Sequence, residues 1–377
     1  MSILASAVAV SAAVAVDACG GTPSAGCDAG WPDWQRFVEA FVSEDGRVID
    51  RSTPGAWTVS EGQAYAMFFA LVADDRPTFA RLLAWTRDNL ADGDLTRRLP
   101  AWQWGRNDDG VWGVLDANPA SDADVWIAYV LDQAGRLWRE PYYRTLSAVI
   151  SRHILAEETA DLPELGRTLL PAPYGFEPEP GVWRLNPSYL PPMLFEALAS
   201  AQPEFEWPAV LASSQRVLIG GAGNGFAPDW VLYRTQGGFA DDPGSAAIGS
   251  YAAIRVYLWI GMMDAAASGR AELLRHYRPM LDLIAAQGWP PETIDTASGE
   301  VSGRGPSGFA AALLPFVRAS GDRASAEVLA RQVKARTAED FGGYYNAVLT
   351  LFGLGYLEGR YAFSADGALR PAWGRPC

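Results

Sequence analysis

The sequence predicts an all-α protein, on three observations. Apolar residues recur with a period near 3.6 in twelve segments spread over the 377-residue chain. Alternating β-branched stretches are scarce, the short Val231-Leu232-Tyr233-Arg234 being the main exception. No repeat of fixed period is present, which favours paired helical hairpins gathered round an axis over a plain solenoid.

In chain order the segments fall at about 32–43, 60–74, 76–90, 120–137, 140–156, 189–201, 204–219, 246–262, 270–286, 306–319, 323–337 and 342–356. The second opens at Ser60, placed to cap a first turn holding Glu61 and Gln63, and runs into the apolar Met67-Phe68-Phe69-Ala70-Leu71-Val72. Asp74-Asp75-Arg76-Pro77 joins it briefly to the third. The fourth opens at Ser121 or Asp122 as cap. Elsewhere the joins are long, at 91–119, 157–188, 220–245 and 287–305, and they carry aromatics, Gly and acids. On a helical scaffold such connections are where a binding groove is built. No Ser/Gly-rich or like-charged tether divides the chain, so residues 27–377 read as one domain behind a signal-like segment, 1–26.

At 49% hydrophobic and 20% charged, the chain has material for a large core. Its formal charge of −14 argues against nucleic acid or an anionic membrane as partner, whereas a neutral polymer is indifferent to it. His153 and His276 are the only histidines, too few and too far apart for most zinc sites or a histidine-based triad. No metal and no cofactor is implied. Of Cys19, Cys27 and Cys377, none has metal-ligand spacing; Cys27 and Cys377 bracket the folded region and are a candidate disulfide in an oxidising compartment. Residues 3–16 form an apolar run of secretory-signal length without the usual preceding basic residues. No other stretch approaches transmembrane length, so a periplasmic or secreted protein with no membrane span in its mature chain is expected.

Three features point to chemistry. Glu61 sits at a helix mouth, where partial burial raises a carboxyl pKa toward that of a general acid; the plain alternative is an acid favoured by the helix dipole. Asp122 and Asp124, two apart, cannot share a helical face. One is expected to stabilise the turn while the other points into a groove and binds sugar hydroxyls, or both are simply N-terminal acids. Finally, among 15 Trp, 14 Tyr and 15 Phe, many fall in connections beside small or polar residues, as do Trp102, Trp104, Trp112, Trp183 and Trp230, or at the openings of periodic segments, as do Tyr189, Tyr344 and Tyr345. Flat, partly apolar rings stack well on the C–H faces of sugars.

Ser60-Glu61-Gly62-Gln63, Ala120-Ser121-Asp122-Ala123-Asp124, Asn186-Pro187-Ser188-Tyr189-Leu190-Pro191-Pro192, Ser250-Tyr251 with Ala253-Ile254-Arg255-Val256-Tyr257, and Tyr344-Tyr345-Asn346 together resemble glycoside hydrolase family 8 over about residues 27 to 377. The resemblance implies an (α/α)6 barrel with a long open groove and hydrolysis of β-1,4-glucan with inversion. Its expected partners are cellulose and cello-oligosaccharides, with a place beside the bacterial cellulose synthase complex. By position, Glu61 matches the family's proton donor and Asp122 an acid that binds the distorted sugar. Trp102, Tyr189, Tyr251, Arg255 and Tyr345 match residues lining the groove.

One position departs. The family's general base is an aspartate after the tyrosine of Ser-Tyr-Asp-Ala-Ile-Arg, and here Ala252 occupies it. An inverting glycosidase needs a second carboxylate about 6.5–9.5 Å from the acid, on the opposite sugar face, to activate water. Alanine has none, and a lost base typically costs about 10²–10⁴ in rate. Arg255 is then expected to face a methyl group, with Asp241 and Asp242 as nearby substitutes. Two origins fit Ala252: an introduced replacement, or a natural loss of the base in a glucan-binding chain that keeps its groove.

Overall fold

The computed structural model describes residues 30–338 and 341–374. Within them lie thirteen α-helices: α1 (Pro32–Phe41), α2 (Ser60–Val72), α3 (Arg76–Leu90), α4 (Ser121–Leu137), α5 (Pro141–Glu157), α6 (Pro192–Ala201), α7 (Trp207–Gly220), α8 (Ile254–Met262), α9 (Arg270–His276), α10 (Arg278–Gln287), α11 (Ser307–Ala319), α12 (Arg323–Thr337) and α13 (Tyr344–Leu357). The expected segment 270–286 is two helices. The chain turns at Tyr277, and Pro279, which cannot donate within a helix, sits in the first turn of the second piece.

Burial sorts the helices into two rings. In α4 every residue from Ser121 to Gly135 is buried, in α8 all of them, in α11 Gly308 to Val317 and in α13 Ala347 to Gly355. Helices apolar on all sides belong inside. By contrast, α5 buries Leu146, Ser147, Ile150, Ser151, Ile154 and Leu155, a single stripe at helical spacing. Inner α2, α4, α6, α8, α11 and α13 thus alternate along the chain with outer α1, α3, α5, α7, the α9–α10 pair and α12. This is an (α/α)6 barrel, as the resemblance implied.

Phe352 of α13 stands near the axis, with ring centroids 4.6 Å from Phe69, 5.4 Å from Trp126 and 5.3 Å from Trp259. It therefore ties α13 to α2, α4 and α8 and closes the inner ring. Close helix approach needs small residues here: a Cβ on Gly353 would collide with the Ala311 carbonyl of α11.

The strands lie in the connections. Val231–Arg234, expected from the sequence, is the middle of a three-stranded sheet between Val182–Leu185 and Gly238–Asp241. A second sheet joins Thr58–Val59 to the hairpin Gln103–Arg106 and Trp112–Asp116, and a third joins Ile248–Gly249 to Thr293–Asp295 and Val301–Ser302. Strands of two to five residues carry too short an alternation to show in sequence. They pin long loops to the ends of inner helices, as where Thr58–Val59 leads directly into α2. No helix among the described residues is long and apolar enough to cross a membrane. The signal-like segment 1–26 and the candidate pair Cys27 and Cys377 lie outside the described residues.

Candidate active site

The residues singled out by sequence gather where the inner helices begin. Arg255 at the start of α8 touches Tyr65 of α2, Asp122 of α4 and Ser188 just before α6. The Tyr344 hydroxyl of α13 lies over Gly62 of α2, the Gly308 N–H of α11 donates to Asn346 of α13, and the Tyr345 hydroxyl donates to the Tyr251 carbonyl beside α8. Six helix N-termini thus meet at one end of the barrel. Their N–H groups and dipoles favour negative charge there.

Glu61 occupies the first turn of α2. Its Oε1 accepts a hydrogen bond from Trp102 Nε1 at 3.3 Å, while Oε2 is buried with no partner. Burial first, and the Asp122 charge second, push its carboxyl up to about 8. A carboxyl that keeps its proton at neutral pH and has one hydrogen-bonded oxygen can deliver that proton to an ether oxygen. The rest of Ser60-Glu61-Gly62-Gln63 holds it in place. A Cβ on Gly62 would stand 2.7 Å from the Tyr344 hydroxyl. Gln63 is fully buried; its Oε1 accepts from Val48 N at 2.6 Å and its Nε2 donates to the Gly46 and Leu82 carbonyls at 3.1 and 3.2 Å. The expected cap is absent: α2 starts at Ser60 itself, and its buried Oγ has no partner.

Asp122 is 1% exposed. Its Oδ2 accepts from Arg255 Nη1 at 2.9 Å, and its Oδ1 from the Ala123 N–H at 2.8 Å. Burial pushes this carboxyl upward, and the guanidinium and the amide pull against it. Arg255 also donates to the Tyr65 hydroxyl at 2.9 Å and to Ser188 Oγ at 2.8 Å, and lies 5.5 Å over the Tyr189 ring. It therefore does not face a methyl group, as expected from Ala252; its fork is spent on α2, α4 and the turn before α6. Neither Ser121 nor Asp122 caps α4, whose cap position is Ala120. Asp124 points away from Asp122, as spacing requires, into a buried site with Glu158. None of the four carboxyl oxygens of this pair has an outside partner, and burial drives both pKa values well up. Two carboxyls in such a place share a proton.

The aromatic residues divide. Trp102 and Tyr251 are exposed at 37% and 49%, and Tyr189 and Tyr345 are half-buried. Trp104 instead stacks on Trp112 at 5.4 Å and 22°, against the Arg47 guanidinium 4.3 Å from Trp104. Trp230 is covered by Arg184 at 3.8 Å and stacked on Phe176 at 5.8 Å.

Of the two suggested substitutes for Ala252, Asp242 is not free. Asp242 is buried and bound to Arg184 Nε at 2.8 Å and to Gly244 N at 3.0 Å, which hold its carboxyl below the usual range despite burial. Asp241, itself exposed, ends the half-buried strand Gly238–Asp241 opposite Val231. The acid that touches this turn is Asp229, which sequence reasoning passed over: its Oδ1 accepts N–H bonds from Ser250 at 2.9 Å, Ala252 at 3.0 Å and Ala253 at 2.7 Å. It lies more than twenty residues upstream, in no helical period. The available signal was its place beside an aromatic, Asp229-Trp230, in a long connection.

This site, on this barrel, is that of a carbohydrate-cleaving family. The model of glycosyl hydrolases family 8 matches residues 7–359, and the chain belongs to that family. Among its relatives, an endoglucanase of Xanthomonas axonopodis pv. citri (strain 306) is 47% identical over 348 residues, covering 92% of this chain and 90% of that one. An endoglucanase of Escherichia coli O157:H7 is 44% identical over 350 residues, 92% of each chain. The crystal structure of an endo-1,4-D-glucanase from Vibrio fischeri ES114 superposes with a TM-score of 0.87 at 40% identity, covering 92% of this chain and 100% of that one.

Proposed function

We propose that this chain is an inverting endo-β-1,4-glucanase by descent, with Glu61 as proton donor, and that Ala252 leaves its turnover weak. The observation that carries the reading is the Glu61 carboxyl, raised to about 8 and held by Trp102 at one end of the barrel. Naming of the relatives as endoglucanases, at 44% and 47% identity over most of both chains, supports the polymer.

In this reading a β-1,4-glucan lies across the inner helix starts. Trp102, Tyr189, Tyr251 and Tyr345 offer ring faces and hydroxyls to successive sugars. Asp122, fixed by Arg255, binds hydroxyls of the sugar at the scissile bond. Glu61 gives its proton to the departing glycosidic oxygen while water attacks the anomeric carbon from the other face. That water needs a carboxylate, and the methyl of Ala252 supplies none. The acid half of the reaction is intact and the base half is weakened.

The resemblance also supports a periplasmic or secreted location and a role beside the bacterial cellulose synthase complex. The second reading, favoured by Ala252 itself, is a non-catalytic cellulose-binding or assembly factor of that complex. Chromatography of products from carboxymethyl cellulose, xylan, mixed-linkage glucan and chitosan, run for this chain and for Ala252→Asp, decides between them. Cello-oligosaccharide products that increase strongly in the variant are expected. Binding of cello-oligosaccharides without any release, in both proteins, would leave the binding factor as the answer.

A further inference from the structure

The turn Ser250–Ala253, which carries the altered position, is organised by one carboxylate. Three of its N–H groups converge on Oδ1 of Asp229, at 2.9, 3.0 and 2.7 Å. Oδ2 has no hydrogen-bond or ion-pair partner among the described residues, and the side chain is only half-buried. A carboxylate with one oxygen anchored and the other open has the geometry of a base.

Its neighbours tie it to the aromatic residues of the site. The ring of the next residue, Trp230, lies 6.3 Å from the Tyr189 ring. The turn that Asp229 anchors carries Tyr251, whose carbonyl accepts from the Tyr345 hydroxyl. Asp229 thus links the segment bearing Trp230 to the turn bearing Tyr251. Of the other acids near the turn, Asp242 is bound by Arg184, and Glu292 accepts through Oε1 from the Tyr251 hydroxyl at 3.2 Å, a single bond where Asp229 takes three from the turn itself.

We propose that Asp229 is the carboxylate that activates water in this chain, working through Oδ2 in the space beside the methyl of Ala252. This rests on the reading of Glu61 as the acid of an inverting glucan hydrolase. Oδ2 takes one proton from water as the water oxygen bonds to the anomeric carbon. The bond from that carbon to the leaving oxygen breaks, and the Glu61 proton goes to that oxygen. Asp229 ends protonated and Glu61 ionised, and exchange with solvent restores both. With its other oxygen tied to the turn, Asp229 is a poorer base than an aspartate borne at 252, so turnover is slow but not zero.

The test is Asp229→Asn, which keeps an Oδ1 able to accept the three N–H bonds and removes only the basic oxygen. Hydrolysis of cellohexaose is followed by chromatography, and its binding by calorimetry at a temperature where turnover is negligible. Asp229→Asn is expected to lower the slow turnover of the chain at least about tenfold, with affinity retained. In the Ala252→Asp background the same change should cost much less, because another base is present. An equal loss in both backgrounds would make Asp229 a positioning residue for the turn and overturn the proposal. So would unchanged turnover in Asp229→Asn, with Glu292→Gln then showing whether Glu292 is the base. An active Ala252→Asp beside a chain with no measurable turnover would also overturn it while leaving the reading of Glu61 intact. If neither protein cleaves any β-1,4-glucan, that reading fails as well.

Discussion

Glu61→Gln should remove a pH dependence of stability whose sign and size follow from the burial of this one carboxyl. Its pKa rises from an ordinary 4.5 to about 8 in the fold, because burial penalises the charge and Asp122 repels it. Between those values the folded chain holds a proton that the unfolded chain has released, so stability falls as pH rises through the window. The full rise corresponds to about 5 kcal/mol at ~1.4 kcal/mol per pH unit. Glu61 is partly open to water, which reduces the effect to a few kcal/mol. Glutamine has no charge to bury. Near pH 4 the variant and its parent should therefore be close in stability, and by pH 9 the variant should be the more stable by about 2–4 kcal/mol. Urea unfolding at pH 4, 6, 8 and 9 measures this, and taking the difference between the two proteins cancels every other titrating group that does not couple to Glu61. A difference constant across that range, or a variant less stable at pH 9, would refute the claim that Glu61 is held protonated at neutral pH.

Other consequences are as direct. Glu158→Gln should lessen the loss of stability above neutral pH, because the amide donates a hydrogen bond to Asp124 without needing the shared proton; denaturant midpoints at pH 6 and 9 check it, and an equal fall in both proteins would contradict the pairing. Arg255→Lys should lower stability by about 3–5 kcal/mol, since an ammonium cannot meet Asp122, Tyr65 and Ser188 together and leaves a buried carboxylate poorly paired. Gly62→Ala should cost about 1–3 kcal/mol in urea unfolding by pressing on the Tyr344 hydroxyl.

Most of the scaffold was legible in the sequence, because wide apolar stripes and fully apolar helices are what a double ring of helices requires. The segment at 60–74 illustrates it: its apolar run is the buried wall of α2. The second ring's break at Tyr277 was not legible, since apolar residues continue across it in phase. The caps were misread for another reason. Ser60 and Ser121 have the residue type of a cap, but each already lies inside its helix, and the chain positions these helices through tertiary contacts instead. Single-element spacing also misjudged Arg255. Its i, i+3 relation to position 252 is real, yet the nearest acceptors come from α2, α4 and the turn before α6, which no local rule brings together. Asp229 lay hidden for the same reason: its three bonds reach residues 21, 23 and 24 positions away.

In the proposed mechanism the acid half of the site is intact and the base half is not. The kcat/KM for cellohexaose of Ala252→Asp, divided by that of the chain as it stands, measures this directly. A ratio of about 10²–10⁴ is predicted, the effect of restoring a general base. A ratio near one, with robust turnover by both proteins, would mean that a full-strength base already exists elsewhere in the chain and would contradict the claim.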